Sequence, residues 1–161
     1  MEKGMDLSFD NSDINYMHIS TAAMSYDLLQ AQNIDDYLER NKNHMLSADF
    51  SNYLNKLLIE KQISVADVVR GSNLDRTYTY QIFNGRKKAS RDHLIAIAFG
   101  FGLDLEETQK MLKASGNREL YVRNERDAII FLAVRDRKTV TELNIDLYEN
   151  GFETLTDKKH N

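Results

Sequence analysis

The chain has no cysteine, no proline and no tryptophan, and only seven glycines in 161 residues. Without cysteine there is no disulfide framework and no thiolate metal site. Average usage of about 5% would place roughly eight prolines in a chain of this length. Proline breaks helix interiors, so its absence suits a mostly helical protein. Long hydrophobic runs are missing as well. The longest apolar stretch, Leu94–Leu103, has ten residues, two of them glycine, whereas a membrane-spanning helix needs about 20. The first residues, MEKGMDLSFDNSD, contain no apolar signal-peptide core. The expectation is a cytoplasmic protein without membrane contact.

Catalytic signatures are also lacking. His18, His44, His93 and His160 are scattered, and none is spaced as a metal ligand with a second histidine or a carboxylate pair. Asp35/Asp36 and Glu106/Glu107 are adjacent pairs, which point to different sides of a helix and suit its N-terminal dipole. There is no glycine-rich phosphate loop and no nucleophile motif. The sequence predicts no catalytic residue, no metal and no cofactor, and the chain does not read as an enzyme.

What the sequence does have is a soluble, core-forming composition, 42% hydrophobic and 29% charged, in a length that suits one domain or a small domain with arms. The net charge of −4 looks wrong for a nucleic-acid binder, but phosphate attraction depends on where the charge sits. Residues 1–50 hold three basic and nine acidic residues, residues 51–92 eight and four, and residues 93–161 ten and twelve. One basic segment therefore lies between two acidic ones.

The predicted architecture is all-α. Residues 1–24 are polar and aperiodic, and read as disordered or loosely held. Residues 1–46 together form an acidic N-terminal arm, with one short amphipathic helix near 34–42 carried by Ile34, Tyr37 and Leu38. From Ser47, a candidate cap, Phe50, Leu54, Leu57 and Leu58 mark a first long helix to about Lys61. Ser64 can cap a helix over Val65–Ser72, and Asp75 one over Arg76–Phe83, with Asn84-Gly85 as a stop. Ser90 can cap a fourth helix with Leu94, Ile97, Ala98 and Phe101 inward, ending at Gly102. Asp104 and Glu107 form a capping box for a fifth, with Leu105, Met111 and Leu112 inward, ending at Gly116. Residues 47–116 make one domain. In the extension 117–155, Asn124 can cap Glu125–Asp136 with Ala128, Ile129, Phe131 and Leu132 inward. Thr139 and Glu142 open a last helix, with Val140, Leu143 and Leu147 inward, that stops at Gly151. Residues 156–161 are a tail.

One segment meets the physical demands of a DNA-reading pair of helices. Such a pair needs a turn of 3–4 residues, a locked apolar inner face and a polar outer face on the second helix. Here the inner positions are Val65, Val68, Val69, Leu74, Thr79, Ile82 and Phe83. Asn73, at the turn, tolerates left-handed geometry. The outer positions Arg76, Thr77, Tyr80, Gln81 and Asn84 are all hydrogen-bonding residue types. Arg86, Lys87 and Lys88, with Arg91 beyond, form a cation cluster where a DNA backbone would pass. Arg76 and Gln81 are the candidate base contacts, because Arg pairs bidentately with guanine and Gln with adenine. Tyr78 and Tyr80 suit a phosphate, a thymine methyl or a protein interface equally.

The run Ile63–Gly85 resembles, without a gap, the helix-turn-helix of the lambda-repressor/Cro (XRE-type) family. Residues 47–116 are similar to that family's five-helix DNA-binding domain. The stretch from Ser47 to Leu155, with DRTYTYQIFNG, SRDHL, LDLEETQ and YVRNERDAII, also looks like uncharacterised helix-turn-helix proteins of Firmicutes, which adds no activity. The resemblance implies that Arg76, Thr77, Tyr80 and Gln81 face the groove. It implies that Ser64 lies near the phosphates and that Asn84 and Arg86–Lys88 contact the backbone. The chain departs from the family at Val65, where glutamine is frequent, at the larger Val69, at Asn73 in place of glycine, and at Thr79, which would bury a hydroxyl. Tyr78 and Tyr80 crowd a helix that usually carries smaller groups.

The sequence therefore predicts a sequence-specific DNA-binding transcriptional regulator whose partner is double-stranded DNA. A single recognition helix reads few base pairs, so a homodimer is expected. The alternative is a protein-interaction module on the same fold, with the tyrosines as anchors. The acidic arm is expected either to cover the basic face or to dock a protein partner. Under the first of these, deleting residues 1–44 raises affinity for a DNA duplex in an anisotropy titration, and unchanged affinity rules that version out.

Overall fold

In a computed structural model the structure describes residues 20–156, with the side chains of residues 43 and 46–48 left aside. The described residues are all-α, with nine helices and no strand among them. None of these helices is long and apolar enough to cross a membrane. The chain divides into two compact units, one ending at Met45 and one beginning at Leu46.

The first unit contains α1 (Thr21–Gln30), α2 (Ile34–Asn41) and a 3-10 turn at Lys42–His44. Helix α1 is a correction to the sequence reading, which left residues 20–24 loose. Ser20 caps it by accepting from the Ala23 N–H at 3.1 Å. The rest of the stretch read as loose, residues 1–19, lies outside the described residues. Helix α2 starts at an Asn33 cap and carries the expected acidic first turn. Of its expected apolar face only Tyr37 is buried, while Ile34 and Leu38 are exposed. Polar contacts join the two helices instead. The buried Asn41 donates to Asp27 at 2.6 Å, and Arg40 bonds Asp27 and Asp36.

The second unit contains α3 (Leu46–Lys61), α4 (Val65–Ser72), α5 (Arg76–Phe83), α6 (Arg91–Phe101), α7 (Leu105–Ala114), α8 (Glu125–Arg135) and α9 (Val140–Glu149). Local chemistry sets nearly all of these limits. Side-chain caps at Ser64, Asp75, Ser90, Asp104, Asn124 and Thr139 each accept from the backbone N–H three residues on. The expected stops at Gly85, Gly102, Gly116 and Gly151 all have positive φ. Helix α3 starts at Leu46, one residue before Ser47, the expected cap, whose side chain is not among those described.

Helix α6 is the axis of this unit. Leu94, Ile95, Ala96, Ile97, Ala98 and Phe101 are all buried, so the helix is enclosed well beyond the single face expected of it. Helix α4 lies against it at backbone distance. A Cβ on Gly100 would stand 2.5 Å from the Val68 carbonyl oxygen, and one on Gly71 would stand 3.0 Å from the Gly100 Cα. Residues 117–155 close the same core. Leu120, Ile130, Ala133, Val134, Leu143, Leu147 and Leu155 join one cluster with Leu54, Val68, Ile82 and Ile97.

Helix α8 faces differently from the expectation. Asp127, Ile130, Ala133 and Val134 are buried, Ala128, Ile129 and Phe131 are half-buried, and Leu132 is 46% exposed. The run AIIFLAV is apolar on every side, so period alone does not choose a face. Asp127, drawn inward by a partner on α6, does.

Two amides tie the irregular segments to this core. Gln109 donates to the Leu120 carbonyl at 3.0 Å and accepts the Leu120 N–H at 2.7 Å. Asn144 accepts the Leu155 N–H at 2.7 Å and donates to Thr156 Oγ1 at 3.1 Å.

Replacing Gly100 with alanine tests the α4–α6 approach. Alanine is favoured over glycine inside a helix by about 1 kcal/mol, but its Cβ would meet a backbone oxygen that cannot swing away. The expected outcome is a net loss of about 1–3 kcal/mol, read from the midpoint of urea denaturation. A raised midpoint would show that the helices separate freely.

Candidate nucleic-acid interface

Helices α4 and α5 are joined by Asn73, Leu74 and Asp75. Asn73 takes the expected left-handed conformation, φ 59°, and its side chain donates to Thr141 Oγ1 on α9 at 3.0 Å. The inner positions pack as expected: Val68, Thr79, Ile82 and Phe83 are buried, and Val65, Val69 and Leu74 are half-buried. Ser72, which the sequence reading passed over, is fully buried and bonds within the turn. The hydroxyl at Thr79 costs little, because Oγ1 donates to the Asp75 carbonyl at 2.7 Å.

The 3.6-residue period sorts α5 into two faces. Arg76, Thr77, Tyr80 and Asn84 are exposed and Gln81 half-exposed on one side, with Tyr78, Thr79, Ile82 and Phe83 on the other. The Arg76 guanidinium lies over the Tyr80 ring, 5.2 Å from its centroid. Tyr78, also a candidate DNA contact, is half-buried and does not share the outer face. Its ring packs edge-on against His93 at 4.9 Å, and its hydroxyl donates to the Lys88 carbonyl at 3.1 Å.

The cation loop is held at both ends. At its start the Gly85 N–H reaches the Ile82 carbonyl and the Arg86 N–H the Gln81 carbonyl, the paired bonds of a Schellman motif, with Gly85 at φ +81°. Asn84 Oδ1 also accepts the Arg86 N–H at 3.1 Å. At its end stands the Tyr78 hydroxyl. From α3, Ser51 and Asn55 donate to the terminal Phe83 carbonyl at 2.6 and 2.8 Å. The sequence reading missed these two supports. They are polar residues at i and i+4 on an otherwise amphipathic helix, and nothing in the sequence distinguishes them from solvated ones.

Charge divides the predicted cations into two groups. Arg76, Arg86, Lys87 and Lys88 are exposed and make no ion pair with a described residue. Lys61 pairs with Glu107, and Arg70 with Asp67. Arg91 is the clearest correction, because it is not part of the exposed cluster. It holds Asp127 with two hydrogen bonds, at 3.0 and 2.9 Å, and donates to the carbonyls of Arg118 and Glu119. The neighbouring pair is reciprocal, since Arg126 holds Asp92 with two bonds of 2.9 Å. These crossed pairs fasten the start of α8 to the start of α6, where the cation loop ends. Burial works against the charge on Asp127, but the Arg91 guanidinium and the Tyr121 N–H outweigh it and hold its carboxyl below the usual carboxylate range.

Ser64 is exposed, but its hydroxyl is engaged in the capping box, accepting the Asp67 N–H and donating to the Asp67 carboxylate. Elsewhere in this unit, an open cleft of about 430 Å³ lies between α4, α6 and the α8–α9 turn, lined by Gly71, Leu103, Val134 and Arg137 among others. Among the described residues no group of histidines and carboxylates could hold a metal ion. His18 and His160 lie outside those residues.

The Arg91–Asp127 pair carries a pH dependence. The folded-state pKa of Asp127 is lowered, so the pair's stabilisation is complete above the unfolded carboxyl value of about 3.9. It is lost as pH falls from there through the folded value. Urea midpoints taken from pH 6 down to pH 2 should fall more steeply for the native chain than for Asp127→Asn. Removing Arg91 as alanine should cost about 3 kcal/mol or more, because it leaves a buried carboxylate unpaired.

With this geometry in hand, comparison with family models, curated proteins and solved structures gives no match.

Proposed function

We propose that this chain is a sequence-specific DNA-binding transcriptional regulator, with α4, its turn and α5 acting as a helix-turn-helix of the lambda-repressor/Cro type. In this reading α3–α7 form the five-helix DNA-binding domain and α5 enters the major groove. Arg76, Thr77 and Gln81 face base edges. Asn84, Arg86, Lys87 and Lys88 contact the phosphates. The protein acts as a homodimer, since one recognition helix spans only a few base pairs.

The observation that carries the reading is the set of exposed cations at the end of α5 that make no ion pair with a described residue. Arg86, Lys87 and Lys88 extend from a backbone pinned at both ends, in a chain whose net charge is −4. A loop of exposed cations with its backbone held at both ends, beside an exposed polar helix face, suits a polyanion whose base edges are also to be read. The interaction-module alternative loses one of its two anchors, because Tyr78 is half-buried and bonded to Lys88 while only Tyr80 faces outward.

Anisotropy titrations of the full chain against duplexes from its own upstream DNA provide the test. Binding should weaken steeply between 50 and 200 mM salt, and Lys87→Ala should lower the slope of log affinity against log salt by about 0.9. Arg76→Ala should narrow the gap between specific and random duplexes. No binding at low salt overturns the reading.

A further inference from the structure

The Arg76–Tyr80 contact does more than decorate the surface of α5. The two residues are one helical turn apart, both exposed, and the guanidinium stands 5.2 Å from the centre of the ring. Arg76 makes no ion pair with a described residue. It is also the first residue of α5, immediately after the Asp75 cap, whose side chain accepts the Tyr78 N–H at 2.8 Å. Its backbone is therefore fixed by the cap. An exposed arginine normally has considerable rotamer entropy to lose when it binds. A ring beside the guanidinium removes part of that loss before any ligand arrives.

We propose that Tyr80 is the positioning residue that makes Arg76 a reader of guanine in the major groove. The inference rests on the DNA-binding reading above and names the base that one residue of that site selects. A guanidinium held beside a ring has fewer orientations open to its planar fork. The two parallel acceptors that match this fork in the major groove are O6 and N7 of guanine. Tyr80 acts through its ring, not its hydroxyl. Adenine offers an acceptor and a donor at the same edge, so it pairs with only half of the fork. The next exposed position one turn on is Asn84, followed by the cation loop. The guanine contact thus lies at the opposite end of α5 from the phosphate contacts, and the register of the helix in the groove is set at both ends.

The experiment uses the full-length chain. Duplexes are selected from a randomised pool at low salt, and each guanine of the consensus is then replaced in turn by 7-deazaguanine, which lacks the N7 acceptor. For the native protein one position should lose about tenfold in affinity. Tyr80→Phe keeps the ring and should keep that loss. Tyr80→Leu should reduce the discrimination at that one position by about two- to fivefold, leaving the salt dependence unchanged. Arg76→Met keeps a long side chain but has no donor. It should abolish the 7-deazaguanine effect at the same position, so the guanine contact stays testable even if the leucine variant does not fold. Two results overturn the inference while leaving the DNA-binding reading intact: a 7-deazaguanine penalty equal in native and Tyr80→Leu proteins, or a Tyr80→Phe variant that behaves like Tyr80→Leu. Failure to select any duplex overturns both.

Discussion

The backbone contact between α4 and α6 is the constraint on which the placement of the candidate interface depends. Gly100 lies where any side-chain carbon would strike the Val68 carbonyl, and Gly71 faces it from the other helix. Helices usually pack about 8–10 Å apart, with side chains between them. Here two missing side chains let α4 lie directly on the most buried helix of the unit. Since α5 follows α4 after three residues, its outer face is referenced to α6 by that one approach. Asn73 in left-handed geometry and its bond to Thr141 then tie the turn to α9 as well.

Electrostatics supplies the second layer. The basic residues of the central segment are of two physical kinds. Arg91 spends its donors on Asp127 and on two carbonyls, at a site where an unpaired charge would be strongly unfavourable. Arg76, Arg86, Lys87 and Lys88 remain exposed, where an ion pair would contribute little to stability. The crossed Arg91–Asp127 and Arg126–Asp92 pairs make the C-terminal helices part of the support for the loop that carries the exposed cations. Residues 117–155 therefore complete the core that positions the site.

The unusual residues of α5 find local physical accounts. The hydroxyl of Thr79 closes onto the carbonyl one turn back, so it is buried without being orphaned. Tyr78 points away from the outer face and braces the loop through its hydroxyl and its contact with His93. Only Tyr80 is left on the exposed side, and its ring lies beneath Arg76. Two tyrosines that look alike in the sequence thus have different tasks, one internal and one external, because they differ by two positions on a helix of period 3.6.

Helix limits were largely legible in the sequence, since caps, glycine stops and apolar periods act over three or four residues. Ser64, Asp75, Asp104, Asn124, Thr139 and the left-handed Asn73 are where local chemistry requires them. Helix α1 escaped notice because its stretch shows no sustained apolar period, and none of its residues is buried. The outer face of α5 was legible for the same local reason, through Arg76, Thr77, Tyr80 and Asn84. By itself, then, the sequence determined the all-helical character of the described residues, most of the helix ends and the two faces of α5. The tertiary structure alone decided that Arg91 is internal, that α8 buries Asp127 and Ile130 while exposing Leu132, and that Ser51 and Asn55 hold the end of α5. The physical reason is distance along the chain. Arg91 and Asp127 are 36 residues apart, and Ser51 and Phe83 are 32 apart. Whether a charge is paired or free depends on which distant groups the core brings beside it.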